Sequence, residues 1–382
     1  MHVGLVTGEY PPMEGGVGAF TREIARAMAA AGHTVSVFTR AAARGEPEPG
    51  IAVHAVVGSR WGWGASRAVR TWAQQSSIDV LNIQFETAAY DMHPAIHWLP
   101  GSVRSVPVVV TFHDLRVPYL FPRAGALRTR ILQKLARSAD GVISTDRADE
   151  RVLRGWGISP VEWIPIGSNI SAAPPGECDR ARWRERLGAA PGDLLIAYFG
   201  FLNETKGGLV LIEALAQLVE QGIPARLVMI GGRAGASDPT NLAYGERVDA
   251  AIARHGLDDR VRWTGFVDDE GVSGCFYASD VTALPYLDGV SLRRGTLMAA
   301  LAHGRAIVTT HPQTDAPELD GVVRTVPAGN PAALAAAILT VWQDGDLRAR
   351  LEKAALEASQ RFSWDGIAAR TLEFYTRLCG GR

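Results

Sequence analysis

Short apolar runs alternate with longer amphipathic segments along this chain, and the alternation occurs in two series. Continuous apolar strands separated by helices are typical of parallel sheets covered on both faces. The predicted strands of the first series are "HVGLVT" (2–7), "TVSVFT" (34–39), "DVLNIQ" (79–84), "PVVVTF" (107–112) and "GVIST" (141–145). Those of the second are "LLIAYFG" (194–200), "RLVMIGG" (226–232), "RVRWTG" (260–265), "DVTALP" (280–285) and "AIVTT" (306–310). We therefore predict an α/β protein with two doubly wound lobes.

Apolar residues at helical spacing fill the segments between these strands. The predicted helices cover 17–31 and 124–137 in the first series, and 207–221, 243–255 and 290–304 in the second. A helical run at 331–358 follows, and "FSWDGIAARTLEFYTRL" (362–378) is predicted as a last amphipathic helix.

A break separates the two series. The stretch "GSNISAAPPGECD" (167–179) contains Pro174, Pro175 and Gly176, which interrupt any regular element. A chain of 382 residues is longer than one hydrophobic core usually serves. We therefore predict a domain boundary and hinge here, with residues 1–172 in the N-terminal lobe and residues 173–362 in the C-terminal lobe.

Charge and cysteine content exclude several functional classes. The formal net charge is −1, so the chain as a whole has no basic surplus for nucleic acid. The three cysteines are widely separated, show no metal-ligand spacing and are expected to be reduced. Without a leader-like N-terminus or a run of about 18 apolar residues, the protein is expected to be cytoplasmic. Hydrolase and metalloprotease motifs such as Gly-x-Ser-x-Gly and His-Glu-x-x-His are absent.

In open parallel sheets, ligands bind beyond the carboxyl ends of the strands. After the first strand, "GEYPPMEGGVGAF" (8–20) places Gly15 and Gly16 ahead of a helix, whose amides favour a phosphate or sugar oxygen. A plain connecting loop is the alternative. "TFHDL" (111–115) places His113 at a strand end, either as a core residue or as a hydrogen-bonding group for a sugar hydroxyl or a leaving oxygen.

The second lobe opens in the same way. "FGFLNETKGG" (199–208) ends a strand at Gly200 and has Lys206 just before a helix, where its ammonium can reach a diphosphate. A solvated surface lysine is the alternative. "MIGG" (229–232) and "WTGFV" (263–267) end later strands with glycine turns, which can hold a nucleobase but are too common to be specific.

One helix start carries two cations. "VSLRRGTLMAALAHG" (290–304) places Arg293 and Arg294 in the predicted first turn of a helix. Each unpaired cation there costs about 0.3–1 kcal/mol, because the helix dipole is positive at that end. A bound diphosphate would make this a charge-assisted anion site. The alternative is that both arginines reach solvent or pair with Asp280 and Asp288.

Two further stretches combine basic and apolar residues. "RAGALRTRILQKLAR" (123–137) is typical of a helix on an anionic membrane, and a core-packed helix with a solvated basic face is the alternative. Its predicted apolar face carries Leu127, Ile131 and Leu135. "SRWGWGASRAVRTW" (59–72) indicates a sugar-stacking or membrane-facing loop, unless its tryptophans are buried.

Taken together, these stretches resemble the retaining glycosyltransferases of family 4, which have the GT-B fold, over nearly the entire chain. The segment "EYPPMEGGVGAFTREIARAMAAAGHTVSVFT" is similar to the opening of the family, and "IPIGSNI" (164–170) to the segment that joins its lobes. "FGFLNETKGGLVLIEAL" is similar to its Gly-Arg-x5-Lys-Gly segment, "AHGRAIVTT" to its Ala-x-Gly-x-Pro-Val-Val run, and "FSWDGIAARTLEFY" to its closing helix. The resemblance implies two Rossmann-like lobes facing a cleft, with residues 363–382 crossing back to the first lobe.

Enzymes of this family transfer a sugar from a nucleotide donor to an acceptor, with retention and without an obligatory metal or other cofactor. The resemblance implies that the first lobe binds the acceptor, and we assign this role to Glu9, Tyr10, Glu86 and Tyr90. Donor binding is assigned to Gly15, Gly16, Gly200, Lys206, Gly232, Val267, Ser291, Arg293, Arg294 and Gly295. Catalytic roles are assigned to His113, Lys206, Asp288 and Arg294.

Two features differ from the family pattern. Phe201 stands where the family has the arginine of Gly-Arg, and Ser291 and Ala299 stand where it has two glutamates. We expect Arg293 and Arg294 to replace the missing cation, and Asp288 to bind a sugar hydroxyl.

The partners follow from this assignment. We expect a nucleotide sugar, an unidentified acceptor (a glycan, a lipid-linked or a small molecule), no nucleic acid, and a peripheral membrane contact through residues 123–137. The protein is expected to be a monomer or a homodimer. The alternative function is a GT-B scaffold that binds a nucleotide or a partner protein without transferring sugar.

Overall fold

The computed structural model describes residues 1–13, 15–115, 125–172, 180–232 and 239–381. The chain forms two compact units, the first comprising Met1–Asn169 with Phe362–Arg382 and the second Ile170–Arg361. The division after Asn169 lies three residues before the boundary that the sequence predicts after residue 172. The predicted hinge residues Pro174, Pro175 and Gly176 lie outside the described residues.

The first unit is built on a parallel sheet. Its strands are β1 (His2–Thr7), β2 (Thr34–Arg40), β3 (Ile51–Val57), β4 (Val80–Phe85), β5 (Val108–Phe112), β6 (Gly141–Ser144) and β7 (Val161–Trp163). They lie in the order β3-β2-β1-β4-β5-β6-β7, and every neighbouring pair is parallel. All residues of β4 and β5 are buried, as expected for apolar strands covered on both faces.

Helices cover this sheet. They are α1 (Gly16–Ala30), α2 (Trp63–Gln75), α3 (Leu99–Ser102), α4 (Gly125–Arg137) and α5 (Arg147–Gly155). The α2 helix corrects the prediction of a loop over residues 59–72. It forms because its buried residues recur at helical spacing. These are Ser66, Val69, Trp72 and Ala73.

The second unit repeats the parallel architecture. Its strands are β8 (Leu194–Phe199), β9 (Ala225–Ile230), β10 (Val261–Trp263), β11 (Val281–Leu284), β12 (Ile307–Thr310) and β13 (Arg324–Val326), in the order β10-β9-β8-β11-β12-β13. Its helices are α6 (Arg180–Arg186), α7 (Gly208–Glu220), α8 (Pro239–Arg254), α9 (Asp269–Ala278), α10 (Gly295–Ala302), α11 (Pro331–Gln343) and α12 (Gly345–Ser359). The predicted helical run 331–358 is two helices, because Asp344 accepts a hydrogen bond from the Leu347 amide at 2.8 Å and so begins α12.

The last helix, α13 (Trp364–Cys379), belongs to the first unit. Its residues Ile367, Leu372 and Tyr375 are buried in one core with Leu5 of β1 and Ile24 of α1. The first unit is therefore assembled from two parts of the chain that are far apart in sequence.

Each sheet has one position where the strand order reverses. In the first unit this position lies between β1 and β4, and in the second between β8 and β11. Loops that follow the two central strands run to opposite sides there and leave a crevice at the carboxyl ends, where ligands of such folds bind. The residues that follow β1, β4, β8 and β11 are therefore the first candidates for function.

Candidate functional site

In the second unit, Lys206 lies over the end of β8. Asn203 holds the turn Glu204–Lys206, because its side-chain oxygen accepts a hydrogen bond from the Lys206 amide at 3.1 Å. A side chain at Gly200 would place its Cβ 3.1 Å from Lys206 Nζ and 2.7 Å from Thr296 Cγ2. Gly200 also has a positive φ of 109°. Only glycine therefore permits the lysine to approach the strand end.

The loop after β11 is fastened to the same turn. The Leu287 amide donates a hydrogen bond to the Thr205 carbonyl at 2.7 Å. A Cβ at Gly207, whose φ is 70°, would lie 2.0 Å from the Pro285 carbonyl oxygen. These two close approaches bring the loop that carries Arg294 beside Lys206.

Arg294 is the residue immediately before α10, so the predicted helix start is corrected: α10 begins at Gly295, and the arginines precede its first turn. The Arg294 guanidinium forms an ion pair with Asp288 at 2.5 Å and lies 4.8 Å from the centre of the Tyr286 ring. Its Nε is buried and has no hydrogen-bond partner. Arg294 thus follows the predicted alternative in pairing with Asp288, yet keeps a buried donor unused.

The electrostatics of Lys206 and Arg294 favour an anion. Burial, and then the positive charge of Arg294, lower the pKa of the Lys206 ammonium from 10.5 to about 8. Among the residues that the structure describes, Lys206 has no ion-pair partner. Neither α7 nor α10 has an acidic residue in its first turn or a side-chain cap. The Asp288 carboxylate is thus the counter-charge shown for two partly buried cations, and the site retains a positive charge.

The other residues assigned to the donor have mixed positions. Ser291 Oγ accepts a hydrogen bond from the Arg293 amide at 3.3 Å, so Ser291 shapes the loop before α10. Arg293 is partly buried. Gly232 is partly buried and ends a described segment. Asp280 pairs with Arg180 and Arg184 at the start of β11, so it has no contact with either candidate arginine.

Val267 lines a cavity of about 600 Å³ in the same unit. Gly231, whose Cβ position would lie 3.6 Å from Gly200, is bridged to Gly265 two residues before Val267. The β9 and β10 strand ends beside Gly200 thus lead into the segment that lines this cavity. Three aromatic side chains line it: Trp183, Trp263 and Phe266.

In the first unit, the start of α1 already holds a carboxylate. Glu9 Oε1 accepts hydrogen bonds from the Val17 amide at 3.0 Å and the Gly18 amide at 3.1 Å. A Cβ at Gly15 would lie 2.1 Å from the Glu9 carboxyl carbon. Gly15 thus makes room for Glu9, and the Glu9 side chain acts as a helix cap. Gly16 is exposed and has open space around it.

His113 lies at the end of β5. Its Nε2 is 2.9 Å from Gln84 Oε1, and its ring packs edge-on against Phe20 with 4.7 Å between the ring centres. Burial lowers the pKa of His113 from 6.5 to about 3. The imidazole is therefore neutral at physiological pH, so it can form a neutral hydrogen bond but does not serve as a proton-donating imidazolium.

Glu86 follows β4 and is partly buried near two other acids. Burial, followed by the negative charges of Glu9 and Asp114, raises the pKa of Glu86 from 4.5 to about 7. Near neutral pH this carboxyl therefore exists in both protonation states. A group with such a pKa can donate to or accept from a hydroxyl.

Two residues assigned to the acceptor lie in the core, which corrects that assignment. The Tyr90 hydroxyl is fully buried and donates to the Val6 and Gln84 carbonyls, at 3.0 Å and 2.9 Å. Tyr10 is 1% exposed, and its hydroxyl donates to Glu48 Oε1 at 3.3 Å. Packing therefore uses both rings, and neither presents a surface to a ligand.

Sequence reasoning missed a buried polar group behind His113. Asn82, Gln84 and Thr111 are at most 2% exposed and are hydrogen-bonded to one another or to His113. The signal was present in the strand "DVLNIQ", because Asn82 and Gln84 interrupt an otherwise apolar buried run. Buried amides require partners, so they mark a structured polar network.

The basic stretch 123–137 also differs from its prediction. Among the α4 residues whose side chains the structure describes, Leu132, Leu135 and Ala136 are buried. Leu127 is 58% exposed, so Leu127 and Leu135 do not share one apolar face. Arg123 lies outside the described residues.

The tryptophans of 59–72 divide between core and surface. Trp61 and Trp72 are buried, while Trp63 is 58% exposed and lies 5.8 Å from the ring of Trp98, which is 40% exposed. Within the described ranges, no helix combines the length and the apolar character needed to cross a bilayer. No group of three or more His, Cys, Asp or Glu side chains in these ranges is arranged to hold a metal ion.

Comparisons with known families match both units. Residues 14–171 match the family described as Glycosyltransferase Family 4, and residues 193–344 match Glycosyl transferases group 1. Together these matches cover most of the chain.

Two proteins with similar sequences are named glycosyltransferases. The chain is 28% identical to a D-inositol 3-phosphate glycosyltransferase of Xylanimonas cellulosilytica, over 95% of this chain and 92% of the relative. It is 25% identical to a phosphatidyl-myo-inositol mannosyltransferase of Mycobacterium tuberculosis, over 100% of this chain and 98% of the relative.

Solved structures show the same fold. Sucrose-phosphate synthase from Thermosynechococcus elongatus superposes with a TM-score of 0.75 at 22% identity, over 100% of both chains. HepE from Anabaena, in complex with UDP and glucose, has a TM-score of 0.77 at 20% identity, over 99% of this chain and 100% of that chain. The predicted fold and the predicted glycosyltransferase activity are both confirmed. This chain is a glycosyltransferase with the GT-B fold, and its first unit matches Glycosyltransferase Family 4.

Proposed function

We propose that the chain transfers a sugar with retention of configuration, and that Lys206 and Arg294 bind the diphosphate of its nucleotide-sugar donor. One observation carries this proposal: two partly buried cations lie together at the strand-order reversal of the second unit, where Asp288 is the counter-charge shown. Bringing two cations together in a poorly hydrated place costs free energy. Attraction between a bound diphosphate and the two cations would offset this cost.

The second unit also offers a place for the rest of the donor. The cavity beside Val267 presents aromatic faces on which a nucleobase can stack. HepE was solved in complex with UDP and with UDP and glucose, which supports a nucleoside diphosphate as part of the donor. Gly200, Gly232 and Gly295 would let the backbone approach the donor. Asp288, held by Arg294, would accept a hydrogen bond from a sugar hydroxyl.

The first unit would bind the acceptor through Glu86 and polar backbone near Gly16. A carboxyl with a pKa of about 7 can orient an acceptor hydroxyl in either protonation state. The two named relatives act on inositol-containing molecules, which supports an acceptor rich in hydroxyl groups. A glycan, a lipid-linked acceptor and a small molecule all satisfy this description.

The transfer step needs little acid–base help from the protein. The bond from the sugar C1 to the diphosphate oxygen breaks as the acceptor oxygen bonds to C1 on the same face, and the departing phosphate oxygen takes the acceptor proton. Lys206 and Arg294 would stabilise the charge that grows on the diphosphate. Neutral His113 would hold a hydroxyl of the transferred sugar. Because the cations are side chains, we propose that no metal ion is obligatory.

Calorimetry with UDP, GDP and ADP, followed by a donor-hydrolysis assay, tests the proposal. We expect at least one nucleotide to bind and its sugar conjugate to be slowly hydrolysed in the absence of acceptor. The exposed control Arg350→Ala should leave both readouts unchanged. Failure of all three nucleotides to bind would contradict the proposal and favour a scaffold without transfer.

We further propose a peripheral membrane contact through α4 and the neighbouring tryptophans. Lys134 lies 5.4 Å from the ring of Trp98, which contacts Trp63, and Arg130 is one helical turn from Lys134. Neither α2 nor α4 contains an acidic residue. Exposed tryptophans beside lysine and arginine suit the headgroup region of anionic membranes.

Co-sedimentation with vesicles tests this contact. Vesicles that contain phosphatidylglycerol should retain the protein, and neutral phosphatidylcholine vesicles should not. The double variant Trp63→Ala/Trp98→Ala should lose retention, while Leu356→Ala, an exposed residue of the second unit, should keep it. Equal retention of all variants would contradict the proposal.

A further inference from the structure

A chain of hydrogen-bonded side chains runs through the first unit from β5 to α13. His113 Nε2 is 2.9 Å from Gln84 Oε1, and Gln84 Nε2 donates to Asn82 Oδ1 at 3.1 Å. Thr111 Oγ1 donates to the same Asn82 oxygen at 3.0 Å, and Asn82 Nδ2 donates to the Tyr375 hydroxyl. Asn82, Gln84 and Tyr375 are completely buried. Water therefore does not satisfy these groups, and each must be satisfied by the next.

This chain has a direction. In the structure the Asn82 oxygen accepts from Gln84 Nε2 and from Thr111 Oγ1, and this placement of the two amides turns the Gln84 oxygen toward His113. An oxygen without a hydrogen requires a donor opposite, so His113 must carry its proton on Nε2. A neutral imidazole has only one N–H. His113 Nδ1 is then a free acceptor, and it has no hydrogen-bond partner among the described residues.

We propose that Gln84 is a positioning residue that fixes His113 as the Nε2–H tautomer, so that Nδ1 accepts a hydrogen bond from a hydroxyl of the transferred sugar. The role of His113 toward the sugar rests on the proposed function, whereas the tautomer does not. Gln84 acts through His113 and has no contact with the reacting atoms. Asn82 and Tyr375 hold the Gln84 amide in its orientation, so α13 takes part in defining the site.

Among the described residues, the groups shown to contact the His113 ring are Gln84 and the ring of Phe20. Asp114 follows His113 in the loop after β5. The Thr145 hydroxyl reaches the His113 carbonyl rather than the ring, at 3.5 Å. Gln84 is thus the group shown to hydrogen-bond an imidazole nitrogen.

The tautomer can be read directly by 15N NMR of the full-length protein labelled at histidine. The His113 signals are identified by their loss in His113→Gln. We expect one protonated and one unprotonated ring nitrogen at neutral pH, with the Nε2–H pattern, and no protonation of Nδ1 on mild acidification. An Nδ1–H pattern would overturn the proposal.

Variants then separate positioning from simple packing. Gln84→Leu removes the acceptor and should give a mixture of tautomers, with kcat reduced by about tenfold and KM for the donor changed less. Gln84→Glu keeps an acceptor at Nε2 but adds a negative charge that favours imidazolium. Its activity should therefore fall on the acidic side of neutral and recover toward the wild-type value as the pH rises.

Tyr375→Phe tests the far end of the chain. Loss of the hydroxyl frees the Asn82 amide to turn over, so the Nδ1–H tautomer should become visible. The matched control is Thr371→Val, which removes another buried hydroxyl of α13 that bonds only to the Ile367 carbonyl, at 2.7 Å. A normal tautomer in Tyr375→Phe would overturn the role of α13. If the wild type has the Nε2–H tautomer but His113→Gln turns over the donor at an unimpaired rate, the proposed role of His113 toward the sugar would instead be contradicted.

Discussion

The two units place opposite charges at equivalent ends of their sheets. After β1, the Glu9 carboxylate accepts hydrogen bonds from the first amides of α1. After β8 and β11, the helices α7 and α10 begin without a carboxylate cap, beside Lys206 and Arg294. A strand, a glycine loop and a helix occur in each unit. The Glu9 carboxylate caps α1 in the first unit, whereas α7 and α10 in the second unit begin beside cations.

This difference shows that a glycine-rich loop does not by itself define an anion site. A helix N-terminus stabilises any anion placed there. A carboxylate on the same loop is tethered to this position, so it occupies the N-terminus in preference to a ligand. The unit that supplies its own carboxylate gives up that site. The unit that supplies cations instead becomes the place where a diphosphate can bind.

The difference in charge between the two units should be reduced most strongly by removing the Lys206 ammonium. Lys206→Met should reduce donor turnover by at least about 100-fold, because a preorganised cation on the leaving group is lost. The melting temperature without ligand should rise, since the folded state lowers the pKa of Lys206 and so disfavours its charged form below pH 8.

Thermal unfolding and a turnover assay measure both effects of the lysine variant. Lys353→Met is the matched control, because its side chain is 79% exposed. A variant that melts lower than the wild type would show that Lys206 is not held in an unfavourable environment.

The second test removes the arginine. Arg294→Ala should lower turnover at least about tenfold, because a buried donor and a positive charge leave the diphosphate site. Donor hydrolysis compared with Arg350→Ala measures the effect. Wild-type hydrolysis in Arg294→Ala would refute a role for this residue in binding the leaving group.

The third test uses pH. Below pH 8 Lys206 is an ammonium, and above it the site loses one of its cations. The affinity for a nucleoside diphosphate should therefore decline above pH 8, by up to about tenfold for each pH unit. Calorimetry across this range measures the decline, and Lys206→Arg should abolish it because a guanidinium stays charged. A flat wild-type profile would count against Lys206 as a ligand.

The smallest effect is expected in the first unit. Glu9→Gln keeps an acceptor for the α1 amides but removes a charge beside Glu86, so the raised pKa of Glu86 should fall by up to about one unit. Titration of the glutamate carboxyl carbons by NMR measures it, with the exposed Glu46→Gln as control. An unchanged pKa of Glu86 would show that Glu9 does not contribute, and that burial and Asp114 raise it.

Much of the fold was predictable because its signals are local. The long apolar strands, among them β1, β5 and β8, carry continuous buried runs that periodicity detects. The strands β3, β7 and β13 were not predicted: β3 mixes buried and exposed residues, and β7 and β13 have only three residues each. β10 is equally short, but it lies within the longer predicted run 260–265. The helix α2 escaped because its glycines and tryptophans resemble a loop, although burial of one face outweighs that preference.

The candidate site was predictable only in part. The cations Lys206 and Arg294 were identified from their positions before helices, which are local features. The Glu9 cap was not, because its contact with Val17 depends on how the intervening loop folds back. Tyr10 and Tyr90 were misassigned because nothing in the sequence distinguishes a tyrosine after a strand that reaches solvent from one whose hydroxyl binds a core carbonyl.

The position of α13 has a consequence for biosynthesis. The ribosome releases residues 1–169 long before residues 362–381, so the hydrophobic surface that α13 covers on the first unit stays open while the whole second unit is translated. The second unit can mature first, since its core contains only residues from one continuous span. Closure of the first core is then a late, long-range event, and such non-local contacts form slowly. During translation, this exposed surface is where a chaperone would bind the nascent polypeptide.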